Sequence, residues 1–321
     1  MVKIAVFYHF PCIDGAAAAW VAYQHWGDDA AYIGVQHGSR ELLLKTVDAA
    51  VDDGTDVVFA DFCPHRELME YIAERAHSVT IYDHHVSALR EMEHFRHPKV
   101  RLVLDKQRSG SAIVWDELFA NRPRPPAIEL VQHVDLEDDS HAHFLPIAAY
   151  VDSFDMGDIG NGGMAEINAI FATMNGLSAD AVVKEGNRLL HAPDHRDAIR
   201  KALDSMYWTR LQILPGAVPA NVPIVHANIQ QLGREFSLRF KDLARDCSSG
   251  VALSWYEDGD IVRVSVRSGG EPDASEVAAH IGRQGLGGGG HRTSAAAQFT
   301  RDQFAQQFRR LTEEEATAAP K

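Results

Sequence analysis

The chain has 321 residues, enough for two domains that each bury a hydrophobic core. Hydrophobic residues make up 45% and charged residues 24%, and no apolar run approaches the roughly 20 residues that span a bilayer, so we expect a globular protein without a membrane partner. The net charge of −14 argues against a protein that tracks a long nucleic-acid duplex, because such proteins carry a basic stripe. The chain start lacks a signal-peptide pattern and the three cysteines lack metal-knuckle spacing, so we expect a reducing, cytoplasmic location.

Strand and helix patterns alternate along the first third of the chain. The alternation predicts βαβ units and a mostly parallel sheet. Apolar runs predict strands at residues 2–8, 31–35, 57–60, 79–82 and 100–104, and helical spacing occurs at 16–20, 40–51, 67–76 and from 109 onward.

Polar side chains stand where several of these strands end. His9 ends the first strand, with Asp14 in the loop after it; Asp61 ends the third, and Asp83-His84-His85 ends the fourth. Because the carboxyl ends of parallel strands meet at one edge of a sheet, these residues should converge. Histidine and carboxylate are common metal ligands, so the pattern predicts a metal site there. Asp105, after the last of these strands, is a further candidate.

The pattern in the middle of the chain predicts helices. Three prolines at residues 122–126 break the alternation, and residues 128–206 show no clear strand, with a break near Pro193. Within this part, residues 150–158 carry a cluster of carboxylates that includes Asp152 and Asp155. We interpret it as a segment that closes the site, and a solvated acidic loop is the alternative.

A second α/β unit follows, with a strand at 223–226, a helix at 234–243, and a hairpin that pairs 250–255 with 261–267 through an Asp-Gly turn. A helix at 274–281 precedes the glycine run 287–290. Consecutive glycines expose backbone N–H groups, so with the basic residues nearby the run predicts an anion cradle; simple flexibility is the alternative. The predicted divisions are a catalytic domain at 1–178, a helical linker at 179–215, a substrate-binding domain at 216–312 and a tail at 313–321.

At this point the motifs resemble a known family. Four motifs resemble the DHH phosphoesterase superfamily in order and spacing. They are His9-x-x-Cys12-x-Asp14-Gly15, Asp61, Asp83-His84-His85 and a late aspartate. The segment 264–268 with Gly287–His291 and Ala295-Ala296-Ala297 is similar to the DHHA1 domain that often follows. The resemblance covers about residues 3–300 and implies an α/β fold: a parallel-sheet DHH domain joined by a helical linker to a smaller α/β DHHA1 domain.

What the resemblance implies for the site is a pair of metal ions, usually Mn²⁺, with Mg²⁺ or Co²⁺ as alternatives. Asp61 would bridge the ions, His85 would face the substrate phosphate, and Asp83 would brace the ligands. The implied metal ligands are His9, Asp14, Asp61, His84 and one of Asp155 and Asp152. The implied substrate-binding residues are Arg267, Ser268, Gly288, Gly289, Gly290 and His291.

Cys12 departs from the family pattern, because many members carry aspartate there. A thiolate is a softer ligand than a carboxylate, so as a ligand Cys12 would change the metal preference. The alternative is that Cys12 packs under the loop after the first strand, because free cysteine is among the most often buried residue types. The usual final glycine of the DHHA1 motif is replaced by Ala297, a smaller departure.

The sequence therefore predicts a Mn²⁺-dependent phosphodiesterase that hydrolyses short oligonucleotides, dinucleotides or related small nucleotides by a two-metal mechanism. One alternative is a pyrophosphatase or polyphosphatase. Another is a nucleotide-binding regulatory module with a weakened metal site, suggested by Cys12. A processive exonuclease is disfavoured, because neither a third domain nor a basic stripe is left to grip a long strand. The oligomeric state is open, with a homodimer as one option.

Overall fold

The computed structural model describes residues 3–36, 40–137, 142–154, 156 and 163–317. The chain divides into two compact units, Met1–Gly186 and Asn187–Lys321. The division falls inside the segment predicted as a linker. None of the described helices combines the length and the apolar character needed to cross a membrane.

The first unit is built on a five-stranded sheet in the order β2-β1-β3-β4-β5, in which every pair is parallel. These strands lie where the apolar runs predict them, to within one or two residues, and helices follow them in alternation. The strands are β1 (Lys3–His9), β2 (Ala30–Val35), β3 (Thr55–Ala60), β4 (Ser78–Asp83) and β5 (Val100–Leu104). The helices are α1 (Ile13–Trp26), α2 (Arg40–Ala50), α3 (Arg66–Arg75), α4 (Val86–Met92), α5 (Gly110–Leu118), α6 (Pro126–Asp135), α7 (Phe144–Asp152), α8 (Met164–Gly176) and α9 (Ala179–Leu190).

Both faces of this sheet are covered, which explains why its strands are almost continuously apolar. On one face, Phe7 and Phe59 stack at a centroid distance of 5.2 Å and share a core with Ile72 of α3. On α1, the run Ala16–Ala19 is fully buried, so the helix has no large side chains in that run. Trp20 of the same helix stacks on Phe171 of α8 at 5.4 Å.

The second unit contains a six-stranded mixed sheet in the order β10-β11-β9-β8-β7-β6, in which only β7 and β8 are parallel neighbours. The predicted hairpin is present as β8 and β9, and Gly259 in its turn has a φ of +61°. The strands are β6 (Tyr207–Leu211), β7 (Ala220–His226), β8 (Val251–Asp258), β9 (Ile261–Ser268), β10 (Gly287–Gly290) and β11 (Ser294–Thr300). The helices are α10 (Pro193–Asp204), α11 (Ile229–Asp246, interrupted at Gly233), α12 (Ala274–Gly282), α13 (Arg301–Gln307) and α14 (Glu313–Thr317).

Two expectations for the second unit need correction. Residues 207–211, assigned to the helical linker, form β6 and pair with β7, because the alternating Tyr207, Thr209 and Leu211 complete that edge of the sheet. The glycine run is an edge strand paired with β11 rather than a loop. The hydrogen bonds of strand pairing come from the backbone, so a run of glycine can pair despite its low strand propensity.

Candidate metal centre

The site of the first unit lies at the carboxyl edge of the parallel sheet. His9 is the last residue of β1, Asp61 follows β3 directly, and Asp83 is the last residue of β4. These three strands are consecutive neighbours in the sheet, in the order β1, β3, β4. Their ends therefore bring the three side chains together, as the strand-end pattern predicts.

Asp61 sits in an uncommon backbone conformation. Its φ of +55° lies in the left-handed region, which costs free energy for residues other than glycine and is often found at functional sites. The side chain is 1% exposed. The neighbouring Gly110 allows this arrangement, because a Cβ at that position would lie 2.5 Å from Asp61 Cβ.

Asp61 belongs to a first group of potential ligands with His9 and Cys12. One ligand atom from each residue, a ring nitrogen, the Sγ and a carboxylate oxygen, lies within 4.8 Å of the other two. His9 Nδ1 is 3.5 Å from Asp61 Oδ2. An ion between them would therefore have nitrogen, sulfur and oxygen donors.

A second group consists of Asp14, His84 and Asp135, again with ligand atoms within 4.8 Å of one another. His84 Nε2 is 3.4 Å from Asp135 Oδ2 and 3.9 Å from Asp14 Oδ2. The same nitrogen is 3.3 Å from Asp61 Oδ1. Asp61 thus lies between the two groups, with one carboxylate oxygen nearest to each.

Asp14 is oriented by the start of helix α5. It accepts hydrogen bonds from the N–H of Gly110 at 2.6 Å, the N–H of Ser111 at 3.1 Å and the Ser111 hydroxyl at 2.5 Å. A helix N-terminus favours an anion in this position. Even so, burial and the charges of Asp61 and Asp135 raise the pKa of Asp14 to about 7.

The cluster concentrates negative charge from three carboxylates, as a site for cations does. Burial opposes the protonation of His84, but Asp135, Asp61 and Asp14 outweigh burial and raise its pKa well above the usual value. Burial would raise the pKa of Asp61, yet the imidazoles of His84 and His9 hold it well below its usual range.

The donor set fits divalent ions. Both carboxylate oxygens of Asp61, and Oδ2 of Asp135, are buried without a hydrogen-bond partner of good geometry. Buried carboxylate oxygens normally have such partners, so oxygens of this kind indicate a missing ligand. Together with the neighbouring imidazoles they match the ligands of Mn²⁺, Co²⁺ and Zn²⁺.

Asp83 and His85 form a third group with Asp61, in which the ligand atoms again lie within 4.8 Å of one another. Asp83 Oδ1 accepts from the backbone N–H of His84 at 2.6 Å and of His85 at 3.0 Å, and it is 2.7 Å from His85 Nδ1. Asp83 therefore fixes both the turn after β4 and the orientation of the His85 ring. Burial opposes protonation of His85, but the charge and hydrogen bond of Asp83 outweigh it and raise its pKa.

The late aspartate stays a prediction. Asp152, the last residue of α7, belongs to none of the ligand groups found among the described residues, and Asp155 lies outside that part of the chain. A carboxylate beside His84 comes from Asp135, the last residue of α6, which the sequence analysis did not propose. Asp105 is also outside the groups, because it accepts a hydrogen bond from Arg108 Nε at 2.7 Å.

The residues predicted to bind substrate lie in the second unit. Arg267 is 9% exposed and its Nε donates to Ser237 Oγ at 2.8 Å. Ser268 is fully buried and its hydroxyl donates to the Pro272 carbonyl at 2.5 Å, a structural role in the turn after β9.

The glycines predicted to cradle an anion form the edge strand β10, and His291 follows it, half-buried, with its N–H donating to Ser294 O at 2.8 Å. A Cβ at Gly288 would lie 2.3 Å from Ala278 O of α12. A Cβ at Gly289 would meet nothing within 4 Å. Gly288 is therefore needed for packing against α12, whereas a side chain at Gly289 would find space.

Comparison with known proteins identifies the second unit. The family model described as the DHHA1 domain matches residues 238–318. No curated protein matches the sequence significantly.

Several solved structures align with most of this chain at low sequence identity. RecJ from Thermus thermophilus in complex with Mn²⁺ aligns with 15% identity and a TM-score of 0.49 over 95% of this chain and 50% of that one, so the present chain spans about half its length. An exonuclease RecJ bound to manganese aligns with 16% identity and a TM-score of 0.49 over 95% and 87% of the two chains. The pGpG-specific phosphodiesterase PggH from Vibrio aligns with 12% identity and a TM-score of 0.43 over 95% and 96%.

The DHHA1 family model thus covers part of the second unit, and the Asp83-His84-His85 motif that resembles the DHH superfamily lies at the end of β4. The α/β fold predicted from the sequence, a parallel-sheet unit followed by a smaller α/β unit, is confirmed.

Proposed function

We propose that the protein is a metal-dependent phosphodiesterase that hydrolyses short oligonucleotides, dinucleotides or related small nucleotides. The observation that carries the proposal is the pair of ligand groups that meet at Asp61, at the carboxyl edge of the parallel sheet. Phosphoryl transfer needs charge neutralisation on both sides of the phosphorus, and two adjacent cation positions suit that requirement.

We assign one cation position to His9 and Asp61, and the other to Asp14, His84 and Asp135 with the second oxygen of Asp61. Mn²⁺ is the proposed ion, with Mg²⁺ and Co²⁺ as alternatives, because carboxylate and imidazole donors suit all three. Such ions, when bound, polarise the phosphoryl oxygens and activate water at neutral pH. The residues themselves hold the ions and exclude bulk water, since Asp14, Asp61 and His84 are 2% exposed or less.

His85 is proposed to act on the substrate phosphate. Asp83 holds the proton on Nδ1, so the opposite nitrogen, Nε2, carries a proton whenever the ring is charged. The raised pKa keeps the ring charged to a higher pH than usual. Nε2–H can then donate to a phosphate oxygen or to the leaving oxygen as the ester bond breaks.

The preference for a small nucleotide rests on the second unit and on the net charge. A positive charge from Arg267, with polar groups from the edge strand β10 and His291, suits the far phosphate or base of a nucleotide. Inorganic pyrophosphate would have little use for such groups. A long strand is disfavoured by the net charge of −14, which repels an extended polyanion.

The test is a hydrolysis panel with and without Mn²⁺. It contains a linear dinucleotide such as pGpG, a cyclic dinucleotide, a nucleoside bisphosphate, pyrophosphate, and single strands of about 5 and about 20 nucleotides, which bracket a compact single-strand site. We expect the highest kcat/KM for the dinucleotide or the shorter strand. Fastest turnover of pyrophosphate would favour the pyrophosphatase alternative. Nucleotide binding without any turnover would favour the regulatory alternative.

A further inference from the structure

We propose that Cys12 is a metal ligand, so that the first cation position is a histidine-cysteine-aspartate site that prefers borderline ions such as Co²⁺ and Zn²⁺ over Mg²⁺. This inference rests on the proposed function, because it concerns the same pair of cation positions. The observation behind it is that Cys12 Sγ, a His9 ring nitrogen and an Asp61 carboxylate oxygen lie within 4.8 Å of one another. Two donors of one ion are separated by at most about twice a metal–ligand bond of 2.0–2.3 Å, so this spacing can enclose an ion.

Cys12 lies at the start of helix α1. Cys12 is the N-cap of α1, with φ −149° and ψ 137°, and its side chain makes no capping hydrogen bond. Its carbonyl, not its sulfur, continues the helix by accepting from Ala16 N–H at 2.9 Å. Burial and the charges of Asp61, Asp135 and Asp14 raise the pKa of the Cys12 thiol well above its usual value, and the Gly15 N–H at the helix start opposes them.

Asp61 provides independent evidence that an ion belongs beside Cys12. Its carboxylate is 1% exposed, and neither oxygen has a hydrogen-bond partner of good geometry. Oδ2 faces His9 Nδ1 at 3.5 Å, a separation longer than a hydrogen bond. A cation shared by these donors would supply the missing interaction.

Charge explains why a thiol suits this position. Asp14, Asp61 and Asp135 already place three carboxylates in the cluster, and a fourth would add repulsion whenever the cations are absent. A thiol is neutral until an ion arrives. On binding, the Sγ–metal bond forms and the S–H proton leaves to solvent, so the ligand acquires its charge together with the cation.

The donor atoms of His9, Cys12 and Asp61 predict which metal ions the first position prefers. Thiolate donors favour Zn²⁺ and Co²⁺, whereas Mg²⁺ binds oxygen ligands and is held weakly by sulfur. The second group, with two carboxylates and an imidazole, carries no sulfur. The two positions should therefore differ in metal preference.

The experiment is a Co²⁺ titration of the full-length, metal-stripped chain, followed by calorimetry for stoichiometry and by near-ultraviolet absorption for the sulfur-to-cobalt charge-transfer band. The matched control is Cys63→Ser. Cys63 lies in the same unit, is also half-buried, approaches the Pro64 carbonyl at 3.5 Å and belongs to no ligand group among the described residues.

We expect the band in the wild type and in Cys63→Ser, and its loss in Cys12→Ser, with one Co²⁺ still bound. Cys12→Asp should bind Mg²⁺ and Mn²⁺ about tenfold more tightly relative to Zn²⁺, because ligand changes alter affinity by at least as much as changes in supporting residues do. Binding of two Co²⁺ ions without the band, or a band that survives in Cys12→Ser, would overturn the thiolate assignment alone. Failure of the wild type to bind Co²⁺ at all would instead contradict the proposed function.

Discussion

Asp61 is the residue on which the two ligand groups depend. It is the member of the cluster that approaches both His9 and His84, each through a different oxygen. Its left-handed backbone conformation turns the side chain away from the direction that β3 alone would give it. A buried residue with a strained backbone and without good hydrogen bonds lowers the stability of the fold unless a ligand such as a cation compensates.

Asp61→Asn should abolish divalent-ion binding and turnover while the fold is retained. Asparagine tolerates the left-handed region and has nearly the same shape, so the change removes the charge and little else. Because loss of a residue that merely supports a ligand costs roughly 10–100-fold in metal affinity, we expect a loss beyond that range. Calorimetric Mn²⁺ titration measures the metal affinity, hydrolysis rates measure turnover, and a thermal melt shows whether the fold is retained.

The matched control is Asp105→Asn, which changes another aspartate that follows a strand of the same sheet. Asp105 is engaged by Arg108 and lies outside the ligand groups, so metal affinity and rate should stay near wild type. Equal losses in both variants would mean that any charge at this edge matters, and the bridging role of Asp61 would be wrong.

Asp83→Asn should shift the pH dependence of kcat. Asp83 raises the pKa of His85, so it keeps the ring protonated to higher pH. If the protonated ring donates to the substrate, activity is present below the His85 pKa and is lost as the pH rises through it. Removing the Asp83 charge lowers that pKa, and the basic limb of the profile should move to lower pH.

The control for this shift is His65→Gln. His65 is an exposed histidine whose pKa is raised by Glu91, but it lies outside the ligand groups. Its removal should leave the profile unchanged. A basic limb that stays in place in Asp83→Asn would remove His85 from the proton-transfer step.

At the level of residues, the strand-end pattern was informative because the parallel topology alone determines which residues meet. In a parallel sheet every strand delivers its last residue to the same edge, so His9, Asp61 and Asp83 could be grouped without knowing the packing. Asp135 could not be found this way. It ends a helix, is followed by further acids that resemble a solvated loop, and approaches His84 only because α6 packs against α1 and α5.

Among the elements that carry no ligand themselves, the start of α5 contacts two of the ligand residues. Its first residue, Gly110, both donates to Asp14 and lies against Asp61. A Cβ at Gly110 would also come within 2.7 Å of Asp61 Oδ1. The helix can therefore supply its N-terminal charge to the site only with glycine at this position.

Gly110→Ala should lower the free energy of unfolding by about 1–3 kcal/mol, the usual cost of overpacking, and weaken Mn²⁺ binding as well. The matched control is Gly176→Ala in α8, where a Cβ would meet nothing within 4 Å. That change should be neutral or stabilising by up to about 1 kcal/mol, because alanine has the higher helix propensity. Denaturant melts and Mn²⁺ titrations of both variants make the comparison; matching results would refute the close-packing argument.

Sequence patterns missed two elements of the second unit, for different reasons. β10 consists only of glycine, which is normally depleted in strands, and it forms because β11 offers a backbone to pair with and α12 leaves room for no side chain at Gly288. β6 follows a helical stretch directly, and its five residues are too short a run for periodicity to separate them from the end of that stretch.

At the scale of the molecule, the two units supply different chemistry. The first holds the buried carboxylates and imidazoles of the ligand groups. The second holds Arg267, which is buried, and the glycine strand β10. Under the proposed function, the first unit would break the ester bond and the second would select the substrate.

This division predicts that changes in the second unit affect a nucleotide and spare a small chromogenic phosphodiester. His291→Ala should raise KM for a dinucleotide roughly 10–100-fold, since a hydrogen bond to a charged group contributes about 1.5–3 kcal/mol. Arg267→Ala should raise KM in the same way, but it also breaks the hydrogen bond to Ser237, so a thermal melt must accompany it.

The control is Arg263→Ala, on the same strand but paired with Asp258 at 2.7 Å, which should leave KM for both substrates unchanged. Equal losses on the dinucleotide and the small diester in His291→Ala would mean that the second unit contributes to catalysis itself, and the assigned division would be wrong.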